Sequence, residues 1–319
     1  MLQKHIMEVK MKKVLTSILL ILGLFLLTGC SNKETNTTTI LATNFPCYDF
    51  LRAITKNSKN IEVKMLLNPG SETHDYEPSP QDVKNIRNSN LFLYVGGESD
   101  EWVNSITKDI DINKTKLVKL LDLVDLVEEE ITPGMESEED EEETEYDEHV
   151  WTSPKNAIKI INYLKDEIIK IDVSNKELYE NNSENYVHEL EEIDSNIKDV
   201  VKSAKRKELI FGDRFPLRYF VDEYKLQYYA AFPGCSEQTE ASAKTISYLI
   251  KKVKQDRVPV VLKIELSSGK IANQIAQETN TKVLEFSAIH NISKEDFDAG
   301  ITYVDIMKKN IEVLKVALN

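Results

Sequence analysis

Nothing in this chain narrows its fold as sharply as residues 175–206, which run without a single glycine or proline. Tyr179, Tyr186, Leu190, Ile193, Ile197 and Val201 recur there as a narrow apolar seam among glutamates and lysines, the signature of one amphipathic helix. At 1.5 Å rise per residue, about 32 residues span roughly 48 Å. That exceeds an ordinary globular helix and suits a spine between two bodies.

On both sides of the spine, strand-like and helix-like runs alternate. Strands are expected at 38–43, 61–66, 91–96 and 116–120, then at 208–212, 227–231, 258–264 and 282–286. Helices are expected at 47–57, 80–88, 98–107 and 154–170, then at 217–224, 241–254, 268–279 and 300–317. Ser79-Pro80 and Ser153-Pro154 each pair a capping hydroxyl with proline in the first turn. This rhythm reads as βαβ units around parallel sheets. The fold expected is α/β, with two lobes, each a mostly parallel sheet flanked by helices, joined by one long rigid helix. The boundaries are an N-terminal lobe over 38–172, a linking helix over 173–206 and a C-terminal lobe over 207–319.

The first residues read as an address. Lys10, Lys12 and Lys13 precede an apolar run from Val14 to Leu27, too short for a comfortable membrane span. Residues 1–29 are therefore expected to be a signal peptide, with Met11-Lys12-Lys13 the more natural start. Leu27-Thr28-Gly29-Cys30 resembles the lipobox of bacterial lipoproteins. The resemblance implies a lipid on Cys30, a polar tether over 30–37 and a place on the extracytoplasmic face of the cell membrane.

Losing residues 1–29 removes four lysines and one glutamate, which takes the net charge from −14 to −17. Such a balance argues against nucleic acid, whose grip depends on Lys and Arg at phosphates, and suits attraction of cations. Much of the excess lies in an acidic insertion at 127–148, including Glu128-Glu129-Glu130 and Glu138 through Glu143. Like charges so crowded repel, so disorder is expected there. It reads either as a solvated surface insertion or as a low-specificity cation collector. Cys47 and Cys235 are two thiols in an exported chain, not a disulfide framework, and unpaired thiols are expected.

Residues 31–319 hold four histidines. One, His188, lies in the spine with no ligand-type neighbours and reads as exposed and structural. The other three join Asp213 as candidate metal ligands. His74 follows the run IEVKML, Asp213 follows ELIFG, His290 follows TKVLEF, and His149 stands ahead of a capped helix. Ligands of open α/β sheets bind beyond the carboxyl ends of the strands, where these residues fall. Each alone is weak: a loop histidine is usually just surface, Asp213 could cap a helix, and Arg214 could pair with it. Together, three imidazoles and one carboxylate are a nitrogen-rich set that suits Zn²⁺ in tetrahedral geometry at about 2.0–2.2 Å. Four protein ligands would leave no open position for chemistry, so capture is favoured over catalysis. Glu77 beside His74, and Glu265 at the end of PVVLKIE, are supporting carboxylates for the imidazoles.

At this point the chain resembles the zinc/manganese solute-binding proteins of ABC importers, the cluster A-I metal receptors. The likeness rests on Phe45-Pro46-Cys47-Tyr48-Asp49-Phe50, on Pro69-Gly70 followed by His74-Asp75-Tyr76-Glu77-Pro78, and on Asp147-Glu148-His149-Val150-Trp151. Tyr219 through Tyr224 and Tyr303 through Asn310 continue it in order. Membership implies a monomeric, non-enzymatic receptor with the metal between two lobes, little hinge bending, and an ABC permease as partner. It implies that His74 and His149 are the N-lobe ligands. Asp213 falls where members carry His or Glu, and His290 where manganese members carry Asp. Zn²⁺ is the expected cargo, with Mn²⁺ as the alternative and affinity expected to fall below about pH 6.5. An exported zinc hydrolase is the other alternative, although no HExxH spacing occurs. A surface adhesin would be anchored in the same way.

Overall fold

The computed structural model describes residues 37–72, 76–108, 110–135, 146–236 and 240–319. The signal sequence, Cys30, His74 and the middle of the acidic insertion lie outside the described residues. Among the described residues, no helix is long and apolar enough to cross a membrane.

Strands β1 (Thr38–Ala42), β2 (Ile61–Met65), β3 (Leu91–Tyr94) and β4 (Lys116–Lys119) form one parallel sheet in the order β2-β1-β3-β4. Register is set by Ile40 lying opposite Val63 on one side and Leu91 on the other. Central β1 buries Ile40, Leu41 and Ala42 together, as a strand covered on both faces must. Edge strand β2 alternates, with Glu62 and Lys64 in solvent. β3 stops short of the expected Gly96 because the Asp100 carboxylate accepts the Val95 and Gly96 N–H groups at 2.7 and 3.1 Å.

The second lobe repeats this winding. β5 (Glu208–Ile210) pairs with β6 (Gln227–Tyr229), and β7 (Val260–Lys263) with β8 (Lys282–Glu285), all parallel. A parallel bridge between Phe211 and Leu262 joins the pairs, giving the order β6-β5-β7-β8. Helices α1 (Phe45–Ile54), α2 (Pro80–Asn88), α3 (Trp102–Thr107) and α4 (Pro154–Ile171) belong to the first half. The spine is α5 (Lys176–Ser203), followed by α6 (Arg218–Tyr224), α7 (Ala243–Asp256), α8 (Lys270–Thr279), α9 (Lys294–Asp298) and α10 (Tyr303–Ala317). The caps expected at Ser79 and Ser153 form, accepting from the Asp82 and Asn156 amides.

At 28 residues, α5 is about 42 Å long. Its buried positions are Tyr179, Ser183, Tyr186, Leu190, Ile193, Ile197 and Val200. That strict alternation of four and three explains why Val200 faces inward and the expected Val201 is only half-buried. The seam packs on α1 and α4 from one lobe and α10 from the other, so both lobes contribute to one apolar core. A buried knot of polar groups crosses beside it. Asp49 pairs with Arg52 and accepts from the Tyr186 hydroxyl at 3.0 Å and the Tyr303 N–H at 2.9 Å.

Disorder throughout 127–148 is not what the described residues show. Glu128 bridges Tyr146 antiparallel, Val127 and Met135 pack on the core, and the C-lobe donates to the strap. Arg218 and Tyr228 donate to the Glu128 and Glu130 carbonyls at 3.2 and 3.0 Å, and the Val127 amide donates to the Tyr219 hydroxyl at 3.3 Å. Two apolar anchors and partners for the backbone outweigh the like-charge repulsion at this end of the segment.

Candidate metal centre

His149 sits on the turn that leads into α4 and is fully buried. Its backbone N–H donates to Asp147 Oδ1 at 2.8 Å, and its ring Nδ1 lies 3.0 Å from the same oxygen. With Nδ1 held by a carboxylate, Nε2 is the nitrogen that can ligate. Burial first, then the neighbouring His290, hold the His149 imidazole well below its usual range, so it is neutral at physiological pH.

His290 lies beyond β8 and comes from the opposite lobe. Glu265 Oε1, at the end of β7, accepts the His290 N–H at 2.7 Å and stands 3.0 Å from its Nδ1, while Oε2 accepts the Ala288 N–H at 2.7 Å. Both N–H groups reach one carboxylate because Ile289 between them adopts φ +63, and Leu266 next to Glu265 adopts φ +56. Left-handed backbone at a β-branched residue is strained, and such strain collects at functional sites.

The two imidazoles meet. Their centroids are 4.6 Å apart at 80°, and Trp151 stands edge-on to both at 5.4 and 5.8 Å. Trp151 Nε1 donates across the lobes to the Ala288 carbonyl at 2.7 Å, and Tyr303 donates to the Trp151 carbonyl at 2.7 Å.

Asp213 leaves β5 after Gly212, where an added Cβ would lie 2.4 Å from the Ala272 backbone, so glycine lets the strand end close on α8. It does not cap a helix, since α6 begins five residues later with no side-chain cap. Nor does Arg214 take its carboxylate: the guanidinium reaches Glu72 at 3.0 Å and the Ser236 carbonyl at 3.3 Å. Asp213 Oδ1 accepts the Arg214 N–H at 3.0 Å, while Oδ2 is buried with no hydrogen-bond partner, an atom that a cation would satisfy. Burial pushes this carboxyl above its usual range. A cavity of about 240 Å³ lined by Glu72, Arg214, Glu265, His290 and Asn291 opens beside the His290 ring.

Of the expected set, then, His149 and His290 come together and His74 is not described. Among the described residues, ligand atoms of Glu148, His149 and Cys235 lie within 4.8 Å of one another. Glu77 is exposed, and so is His188, whose Nε2 faces Glu192 at 3.4 Å. Cys47 and Cys235 are both unpaired. Sequence reasoning passed over Asp147 and took Cys235 for an unpaired thiol with no ligand role. The carboxylate two residues before His149 was the available signal for the former.

Residues 40–317 match the family described as zinc-uptake complex component A, periplasmic. The chain is 32% identical over 301 residues to the high-affinity zinc uptake system protein ZnuA of Bacillus subtilis (strain 168), covering 91% of this chain and 90% of that one. It is 28% identical over 314 residues to the zinc-binding lipoprotein AdcA of Streptococcus pneumoniae (strain ATCC BAA-255 / R6), covering 96% of this chain but 61% of AdcA. The crystal structure of the Zn(II)-bound ZnuA-like domain of Streptococcus pneumoniae AdcA superposes with a TM-score of 0.73 at 26% identity, over 88% of this chain and 99% of that domain.

Proposed function

The chain belongs to the zinc-uptake component A family, a family of binding proteins rather than enzymes, and from that premise we propose that it is an extracytoplasmic receptor for Zn²⁺. It captures the ion between its lobes through His74, His149, Asp213 and His290 and passes it to an ABC permease. The lipid on Cys30 holds it, as a monomer, at the outer face of the membrane. The observation that supports this reading best is the pair of imidazoles, one from each lobe, with centroids 4.6 Å apart and each Nδ1 turned to a buried carboxylate. Such outer carboxylates fix the tautomer and raise the basicity of a ligating nitrogen. The buried Asp213 Oδ2 adds an oxygen donor of the kind zinc accepts.

Because His149 is depressed well below 6.5, proton competition at that ligand begins only well under the pH at which an ordinary imidazole would lose its metal. Isothermal titration with zinc tests the assignment. One tight zinc per chain is expected for the wild type, and loss of stoichiometric binding for H149A/H290A. A double variant that still holds one tight zinc would remove the ligand assignment.

A further inference from the structure

Resting on that reading of the cleft, we propose that Asn291 and Arg214 are positioning residues that set how slowly Zn²⁺ leaves. Their side chains reach from the C-lobe to the N-lobe segment 68–72 and hold it as one wall of the cavity beside His290. Each directly follows a C-lobe ligand of the proposed set, Asn291 after His290 and Arg214 after Asp213. The segment they share follows β2 and leads in the sequence to His74.

Asn291 makes the stronger hold. It is buried, and its Nδ2 donates to the Asn68 carbonyl at 2.8 Å and to the Ser71 carbonyl at 2.9 Å. A side-chain amide nitrogen has two hydrogens, and these two acceptors use both. Oδ1 accepts the Ile292 N–H at 2.9 Å, which orients the amide. The Asn68 carbonyl also accepts the Ser71 N–H at 3.1 Å, so the turn that Gly70 makes at φ +86 is tied at the same point. Arg214 holds the far end, with its guanidinium 3.0 Å from Glu72 Oε2. The cavity of about 240 Å³ is thus lined from the N-lobe by Gly70, Ser71 and Glu72, and from the C-lobe by Glu265 and His290.

Neither hold attracts a cation by charge. The Asn291 amide is neutral, and a guanidinium near a metal site opposes the metal. What both supply is order: a wall already fixed costs nothing to fix when the ion binds. Such an advantage is expressed chiefly in the rate of dissociation.

Release of zinc from the full chain into an excess of chromogenic chelator, followed by stopped flow, tests this with N291D and R214M. N291D keeps the shape and the acceptor but loses both donors, and R214M loses the fork. Each change also makes the cleft more negative, which by charge alone would slow release. Release is nevertheless expected to quicken, by about tenfold or more in N291D and about two- to fivefold in R214M. Association should be no slower and the stoichiometry should stay at one zinc per chain, whereas a general loss of structure would lower both. Release from N291D at the wild-type rate or slower overturns the positioning role and leaves the receptor reading intact. Should N291D fail to fold, unaltered or slower release from R214M overturns it equally. A wild type that binds no zinc overturns both.

Discussion

Behind each interlobe imidazole stands a buried carboxylate 3.0 Å from Nδ1, Asp147 in one lobe and Glu265 in the other. Burial raises both. For Asp147 it prevails, and the carboxyl is pushed up to about 7 against the opposing His149 N–H. For Glu265 burial is outweighed by the His290 ring and by the His290 and Ala288 N–H groups, which leave the carboxyl below its usual range. The difference is the donor count: Glu265 has donors on both oxygens, whereas Asp147 Oδ2 has none. Unequal hydrogen bonding thus leaves one carboxyl below its usual range while burial holds the other up at about 7.

Substitution should expose that asymmetry. E265Q is expected to cost about 2–4 kcal/mol of stability, since it removes a buried charge that three N–H groups address, and about 10- to 100-fold in zinc affinity. Thermal unfolding and calorimetry measure both. D147N should cost only about 1 kcal/mol and less than about tenfold in affinity near neutral pH. Equal losses in the two variants would break the comparison.

Glu148 sharpens it through pH. Burial, opposed by Ser99, pushes its carboxyl up to about 8 from an ordinary 4.5, so the folded metal-free protein keeps a proton that the unfolded chain releases. Stability from that proton is present at low pH and is lost as pH rises from about 4.5 through about 8. Metal-free wild type should therefore lose more Tm than E148Q between about pH 5 and about pH 8. Parallel curves would show that the Glu148 proton is not linked to folding. The smallest effect belongs to exposed His188: H188A should shift stability by less than about 0.5 kcal/mol and leave zinc stoichiometry unaltered.

Much of the scaffold was legible because its signals are local. β-branched runs became strands, and Ser79-Pro80 and Ser153-Pro154 opened helices where a capping hydroxyl and a proline say they should. The centre was legible only in part. That His149 and His290 meet edge to face depends on how two distant loops fold back, which no spacing encodes. Glu265 was visible as a carboxylate at a strand end, but its hold on His290 depends on left-handed Ile289, a conformation that side-chain preference argues against. That Cys235 comes close to Glu148 and His149 was invisible because those neighbours lie far away in the chain. The described ends of the strap were misjudged for a related reason. Its charge density is local, whereas the hydroxyls and the guanidinium that fix it come from Tyr219, Tyr228 and Arg218.

The apolar seam of α5 carries one mechanical implication. Because residues of both halves share a single packed interior along it, parting them like a clamshell would wet the interior side chains of each, at about 25 cal/mol for every Å² laid bare. A movement confined to the short loops at the strand tips would leave that interior dry.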